Sequence, residues 1–182
     1  MKLIYKSTLY KVIAVLRFYA LKVFYLNKLS APITSMIGRK CGIYIQTNGR
    51  ITCNGRFIIN DHVIVQAKGL ITIGKDLGIN SYTRIVAHER ITIGDNVTIG
   101  QMVAILDHDH NFFMQDGDLK LDGYQTAPIN IGNNVWIGDK CTILRGVNIG
   151  NNVVIGANSL IHKDVPNNCV VGGVPFKLLK EL

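Results

Sequence analysis

Ile131 to Ile161 reads IGNNVWIGDKCTILRGVNIGNNVVIGANSLI, and this stretch decides the fold. A β-branched aliphatic returns every six residues at Ile131, Ile137, Ile143, Ile149, Ile155 and Ile161. Four residues after each of the first five stands a small or apolar side chain: Val135, Cys141, Val147, Val153 and Ser159. Gly132, Gly138, Gly150 and Gly156 follow four of the isoleucines. No helix has this period, and an ordinary strand of period two does not space glycine so regularly. A six-residue repeat predicts a parallel β-helix, each hexapeptide supplying one short strand and one corner of a triangular coil. The aliphatics are expected to point inward and to stack one coil, or eighteen residues, apart. Glycine and asparagine are expected at the corners, where the chain turns tightly or takes positive φ.

Working back, the beat is looser at Ile45, Ile51, Phe57 and Val63, resets at Ile73, Ile79 and Ile85, and again at Ile93, Ile99 and Ile105. Residues 107–128 carry no beat, and a twenty-residue departure from a solenoid is usually functional. The expected organisation is a basic helical segment over 1–40, the β-helix over 41–171 with its protruding loop at 107–128, and a tail over 172–182 ending in a short helix. At 182 residues and 48% hydrophobic content, the chain can bury one sizeable core. Its four cysteines are widely spaced, which favours free thiols and a reducing, cytoplasmic compartment.

Charge is concentrated at one end. Lys2, Lys6, Lys11, Arg17, Lys22, Lys28, Arg39 and Lys40 fall in the first forty residues, which contain no Asp or Glu, so this end alone holds the net charge of +8. That argues against a nucleic-acid-binding surface and for one localised basic face. Apolar residues recur at helical spacing over 1–30, with Pro32 marking the expected end, but the uncharged runs are too short for a membrane span. Two readings follow: a helix that caps the coil and bridges subunits, or one lying in the plane of an anionic membrane at the inner face.

The excursion opens with Asp107-His108-Asp109-His110. Alternating Asp and His can ligate a metal, but no third cluster follows at a usual spacing. A histidine, with an intrinsic pKa of about 6.5, can act as general base near neutrality. A polar loop with no chemistry is the third reading. His62, His88 and His162 are isolated and read as exposed turn residues.

Asn133-Asn134-Val135-Trp136-Ile137-Gly138, Ile143-Leu144-Arg145-Gly146-Val147, Gly156-Ala157-Asn158-Ser159, Lys163-Asp164-Val165-Pro166 and Gly173-Val174-Pro175-Phe176-Lys177 together resemble the hexapeptide-repeat acyltransferases. The resemblance covers roughly residues 70–180 and is nearest to sugar O-acetyltransferases of the maltose/galactoside type and of surface-polysaccharide synthesis. It implies a left-handed coil and a homotrimer with active sites between subunits. It further implies acetyl-CoA as acyl donor, a sugar or saccharide acceptor, and no metal. It selects His110 as catalytic base, with His108 as fallback, and Asn80 as an acceptor-binding residue. Trp136, Asp139, Ala157, Lys163, Lys177 and Lys180 match cofactor-binding positions. Asp139 and Phe176 stand where that family usually has small residues. With no base-paired serine or cysteine nucleophile, the expected reaction is direct attack in a ternary complex. The alternatives are N-acetylation of an amino sugar nucleotide, or a non-catalytic scaffold. A zinc anhydrase would need three histidine ligands and leaves the C-terminal motif unexplained.

Overall fold

A computed structural model describes residues 7–182. Short strands succeed one another on three faces of a triangular prism, joined in parallel register from coil to coil. The first face begins at Leu29–Ser30, the second at Met36–Ile37 and the third at Gly42–Ile45. Later strands fall on these faces in rotation, which makes a parallel β-helix, consistent with the expected left-handed coil. Ile131 pairs with Ile149, Ile137 with Ile155 and Ile143 with Ile161, so the expected stacking one coil apart holds. Every aliphatic of the six-residue beat is buried, and Cys141 and Ser159 share that interior. Earlier coils are longer: Arg50 pairs with Leu70, and Leu70 with Arg90. Across the excursion Ile93 pairs with Ile131, so the coil continues beneath it without a break.

The corners correct the glycine argument. Positive φ falls on non-glycine residues such as Asn96, Asn134, Asn152 and Asn158, not on the glycines that follow the isoleucines. Gly132, Gly138 and Gly150 are required by close approach, whereas a Cβ on Gly156 would meet nothing nearer than the Val171 carbonyl oxygen at 3.5 Å. A Cβ on Gly132 would lie 2.7 Å from the Gly150 carbonyl carbon, and one on Gly138 would lie 2.7 Å from the Ala157 nitrogen. The corner side chains also clasp neighbouring coils. Asn133 Oδ1 accepts from the Asp95 N–H, Asn151 Oδ1 from Asn133 N–H and Asn167 Oδ1 from Asn151 N–H, at 2.7–2.8 Å.

A helix, α1 (Thr8–Phe24), lies across the N-terminal opening. Ser7 caps it by accepting the Tyr10 N–H. Phe18 is wholly buried and meets Phe57 edge-on at 5.3 Å between centroids. The helix ends before the position expected from Pro32, because the Tyr25 carbonyl accepts from both Lys28 and Leu29 and turns the chain into the first strand. Residues 1–6 of the expected helix lie outside the described residues.

Two expectations at the ends are corrected. The coil already begins at Leu29, inside the segment read as a helical extension. The tail forms no helix: Phe176–Glu181 is a strand that folds back antiparallel on Cys169–Gly173, with Gly173 opposite Phe176. Gly173, at φ 102°, permits the reversal, and its N–H is held by Ser159 Oγ at 3.0 Å. The pairing satisfies the last strand's backbone groups and places Phe176 over the coil's C-terminal end.

Candidate active site

Residues 107–128 form a β-hairpin rather than a loop. His108–Gln115 pairs antiparallel with Asp118–Thr126 around an Asp116-Gly117 turn, both residues at positive φ. It leaves the coil at the corner between the third and first faces. Asp107, fully buried, anchors its neck. One carboxylate oxygen accepts the His88 N–H at 2.7 Å and lies 3.3 Å from His108 Nδ1. The other accepts Glu89 and Arg90 N–H, each at 2.8 Å. His108 stacks on His88 with ring centroids 3.5 Å apart, and the Tyr124 ring meets both edge-on. Burial first, and then the charges of His108 and Lys68, push the His88 pKa down to about 4 against an opposing pull from Asp107. His88 is therefore part of this cluster and not the isolated turn residue expected.

His110 differs from His108. It is exposed, its ring tilted against Tyr124 at 4.6 Å, at the edge of a hollow lined by Asp109, Asn111, Phe112, Gln125 and Arg145. Arg145 Nε donates to Asp109 Oδ2 at 2.7 Å, and its NH2 donates to Gln125 Oε1 at 2.9 Å, binding both hairpin strands to the next coil. The pairing slips at Asn111, whose Oδ1 is buried without a hydrogen-bond partner among the described residues. An accessible imidazole on a clamped support is geometrically fit to accept a proton from a bound molecule. His108, stacked and half-buried beside Asp107, is a support.

The remaining predicted residues sit elsewhere. Trp136, 57% exposed, points outward from the second face. The register continues from Trp136 to Val154, Val170 and Lys180, so an aromatic and a cation share one outward row. With strands about 4.8 Å apart, they are separated by roughly 14 Å. Lys177 lies on the same last strand, and the Lys163 ammonium sits 5.5 Å from the Phe176 ring, bringing three cations to the C-terminal end. Asn80, Asp139 and Ala157 occupy the corner between the second and third faces. Asn80 Oδ1 accepts from Asn60 Nδ2 at 2.9 Å. Asp139 Oδ1 accepts the Gln101 N–H at 2.7 Å, which makes it one of the corner clasps and accounts for a carboxylate there. His110 leaves from the corner opposite the second face, so one chain does not bring it to this row.

Residues 128–163 match the family described as Bacterial transferase hexapeptide (six repeats). This stretch of the coil is similar to the bacterial transferase hexapeptide repeat. Over 73 residues the chain is 41% identical to galactoside O-acetyltransferase of Escherichia coli (strain K12), spanning 40% of this chain and 34% of that protein. Among solved structures, a hexapeptide-repeat acetyltransferase from Vibrio cholerae O1 biovar eltor, complexed with acetyl coenzyme A, is 26% identical with a TM-score of 0.61. The match covers 92% of this chain and 77% of that one. The N-acyltransferase AntD from Bacillus cereus shares the fold, with a TM-score of 0.76 at 22% identity over 91% and 87% of the two chains.

The residues missed in the sequence are those that surround and hold His110 and His108: Asp107, His88, Tyr124, Arg145 and Gln125. In the sequence Asp107 and Asp109 stand out as possible metal ligands. Both carboxylates are engaged by protein donors, and no group of three His, Cys, Asp or Glu among the described residues converges to hold a metal ion. Asp116-Gly117 flanked by Phe112, Met114, Leu119 and Leu121 carries a hairpin signal that went unread.

Proposed function

We propose that this protein is an acetyl-CoA-dependent O-acetyltransferase that acts on a hydroxyl of a sugar or polysaccharide precursor, and that it works as a homotrimer. The carrying observation is the split site: an exposed imidazole at one corner, and an aromatic-to-cation row on the opposite face. A second copy placing its second face beside the hairpin completes the pair. The hairpin offers a surface for that contact, since Phe112 pairs with Leu121 and Met114 with Leu119 on one exposed apolar side. The similarity to the galactoside O-acetyltransferase and to the Vibrio acetyltransferase supports acetyl transfer.

The row fits the donor. Trp136 gives the pantetheine arm an apolar surface, and Lys163, Lys177 and Lys180 face the nucleotide phosphates. Acetyl-CoA supplies the activated thioester, and the chain supplies orientation and a proton acceptor. His110 takes the proton of the acceptor hydroxyl as its oxygen attacks the thioester carbonyl, then returns it to the departing thiolate. Arg145, through Asp109 and Gln125, keeps the hairpin strands that carry His110 in place, and Asn80 orients the acceptor. Calorimetry with acetyl-CoA tests this reading. Trp136→Ala and Lys163→Ala are each expected to weaken binding about tenfold. Absence of binding by the wild type would contradict the proposal and leave a non-catalytic scaffold.

A further inference from the structure

Helix α1 is amphipathic in the reverse of the usual sense. Taking about 100° per residue, Leu9, Val12, Leu16, Tyr19, Val23 and Phe24 occupy one arc roughly 140° wide, directed away from the coil. All six are exposed, Leu16 by 60% and Phe24 by 77%. The face toward the protein holds Ala14 and Phe18, and the helix's cations Lys11, Arg17 and Lys22 are half-buried along its flanks. Lys22 Nζ donates to the Ala31 carbonyl at 2.6 Å. A solvent-facing helix places charge outward and apolar groups inward, so an outward arc without a charged residue is built to be covered.

Charge identifies the cover. The first forty residues hold eight cations and no Asp or Glu. A second copy docked head to head on this arc would set one cation-rich end against another, and the carboxylate beside the helix, Asp61, is already engaged by Arg39 and by the Tyr10 hydroxyl. An anionic lipid surface offers apolar depth to the arc and negative headgroups to the rim. No helix among the described residues is long and apolar enough to cross a membrane, so the matching geometry is a helix lying in the interface. We infer that the outward face of α1 is a docking surface for an anionic lipid bilayer. This surface is independent of the acetyl-transfer reading, and either can fail without the other.

The test is co-sedimentation of the full chain with vesicles of phosphatidylcholine alone and of phosphatidylcholine containing about 30% phosphatidylglycerol. The wild type is expected to favour the anionic vesicles at least tenfold, with the preference falling as salt rises. The double variant Leu16→Asp/Val23→Asp should lose that binding while its thermal midpoint is kept, because both positions are exposed. If it does not fold, Leu9→Gln/Leu16→Gln serves the same purpose. Equal binding by a folded variant, or no wild-type preference for anionic vesicles, overturns the inference. So does a folded variant of smaller solution mass than a wild type that ignores vesicles, which would mean that a second copy covers the arc.

Discussion

The buried carboxylate of Asp107 accepts the backbone N–H of His88 at 2.7 Å, joining the neck of the hairpin to the coil beneath it. The same carboxylate takes two further N–H groups and lies beside His108 Nδ1, so every donor it meets is fixed. Asp107→Asn would turn an NH2 toward these donors. We expect a loss of about 2–4 kcal/mol in unfolding free energy, read from urea denaturation. Wild-type stability would show that the neck is held by other contacts.

His88 sets a pH dependence of stability. Its folded pKa, about 4, lies below the unfolded value of about 6.5. Between these values the unfolded chain binds a proton that the folded chain refuses. The contribution is therefore complete above about pH 6.5 and is lost as pH falls toward 4. After solvent screening it is on the order of 1 kcal/mol. Urea midpoints at about pH 5 and about pH 7.5 should differ less in His88→Gln than in the wild type, and an unchanged difference would remove His88 as the cause.

Arg145 ties Asp109 and Gln125 to the following coil without touching the row that carries Trp136. Arg145→Ala should loosen the support of His110 and lower kcat/KM for the acceptor by about 10- to 100-fold. Acetyl-CoA affinity should stay at its wild-type value. An equal loss in both would place Arg145 at the donor site.

The two faces of α1 should respond oppositely. Phe18 fills the coil opening against Phe57, so Phe18→Ala should cost about 3–5 kcal/mol. Leu16 points outward, and Leu16→Ala should lie within about 0.5 kcal/mol of the wild type in solution. Similar losses at both sites would mean that the outward arc is already packed.

The coil was legible because its geometry repeats. Each inward position demands the same apolar residue, and the beat from Ile131 to Ile161 reproduces the interior residue by residue. What does not repeat was harder to read. Leu178-Leu179-Lys180 has helical composition, yet the reversal at Gly173 and the open strand edge at Cys169–Gly173 make it a strand. The tertiary partner overrides the local preference. His110 and His108 look equivalent in the sequence. Only the fold shows one stacked on His88 and the other open to the hollow beside Arg145. Asp107 stands out in the sequence only as part of Asp107-His108-Asp109-His110, and its anchoring role is hidden there because its partners are backbone N–H groups that carry no sequence signature.

The central claim is most directly tested by acetyl transfer from acetyl-CoA to saccharide hydroxyls, comparing the wild type with His110→Ala under saturating donor. The account expects turnover to fall about 10²- to 10⁴-fold while acetyl-CoA affinity is kept. A His110→Ala protein that acetylates at the wild-type rate would contradict His110 as the proton acceptor, and with it the proposed site.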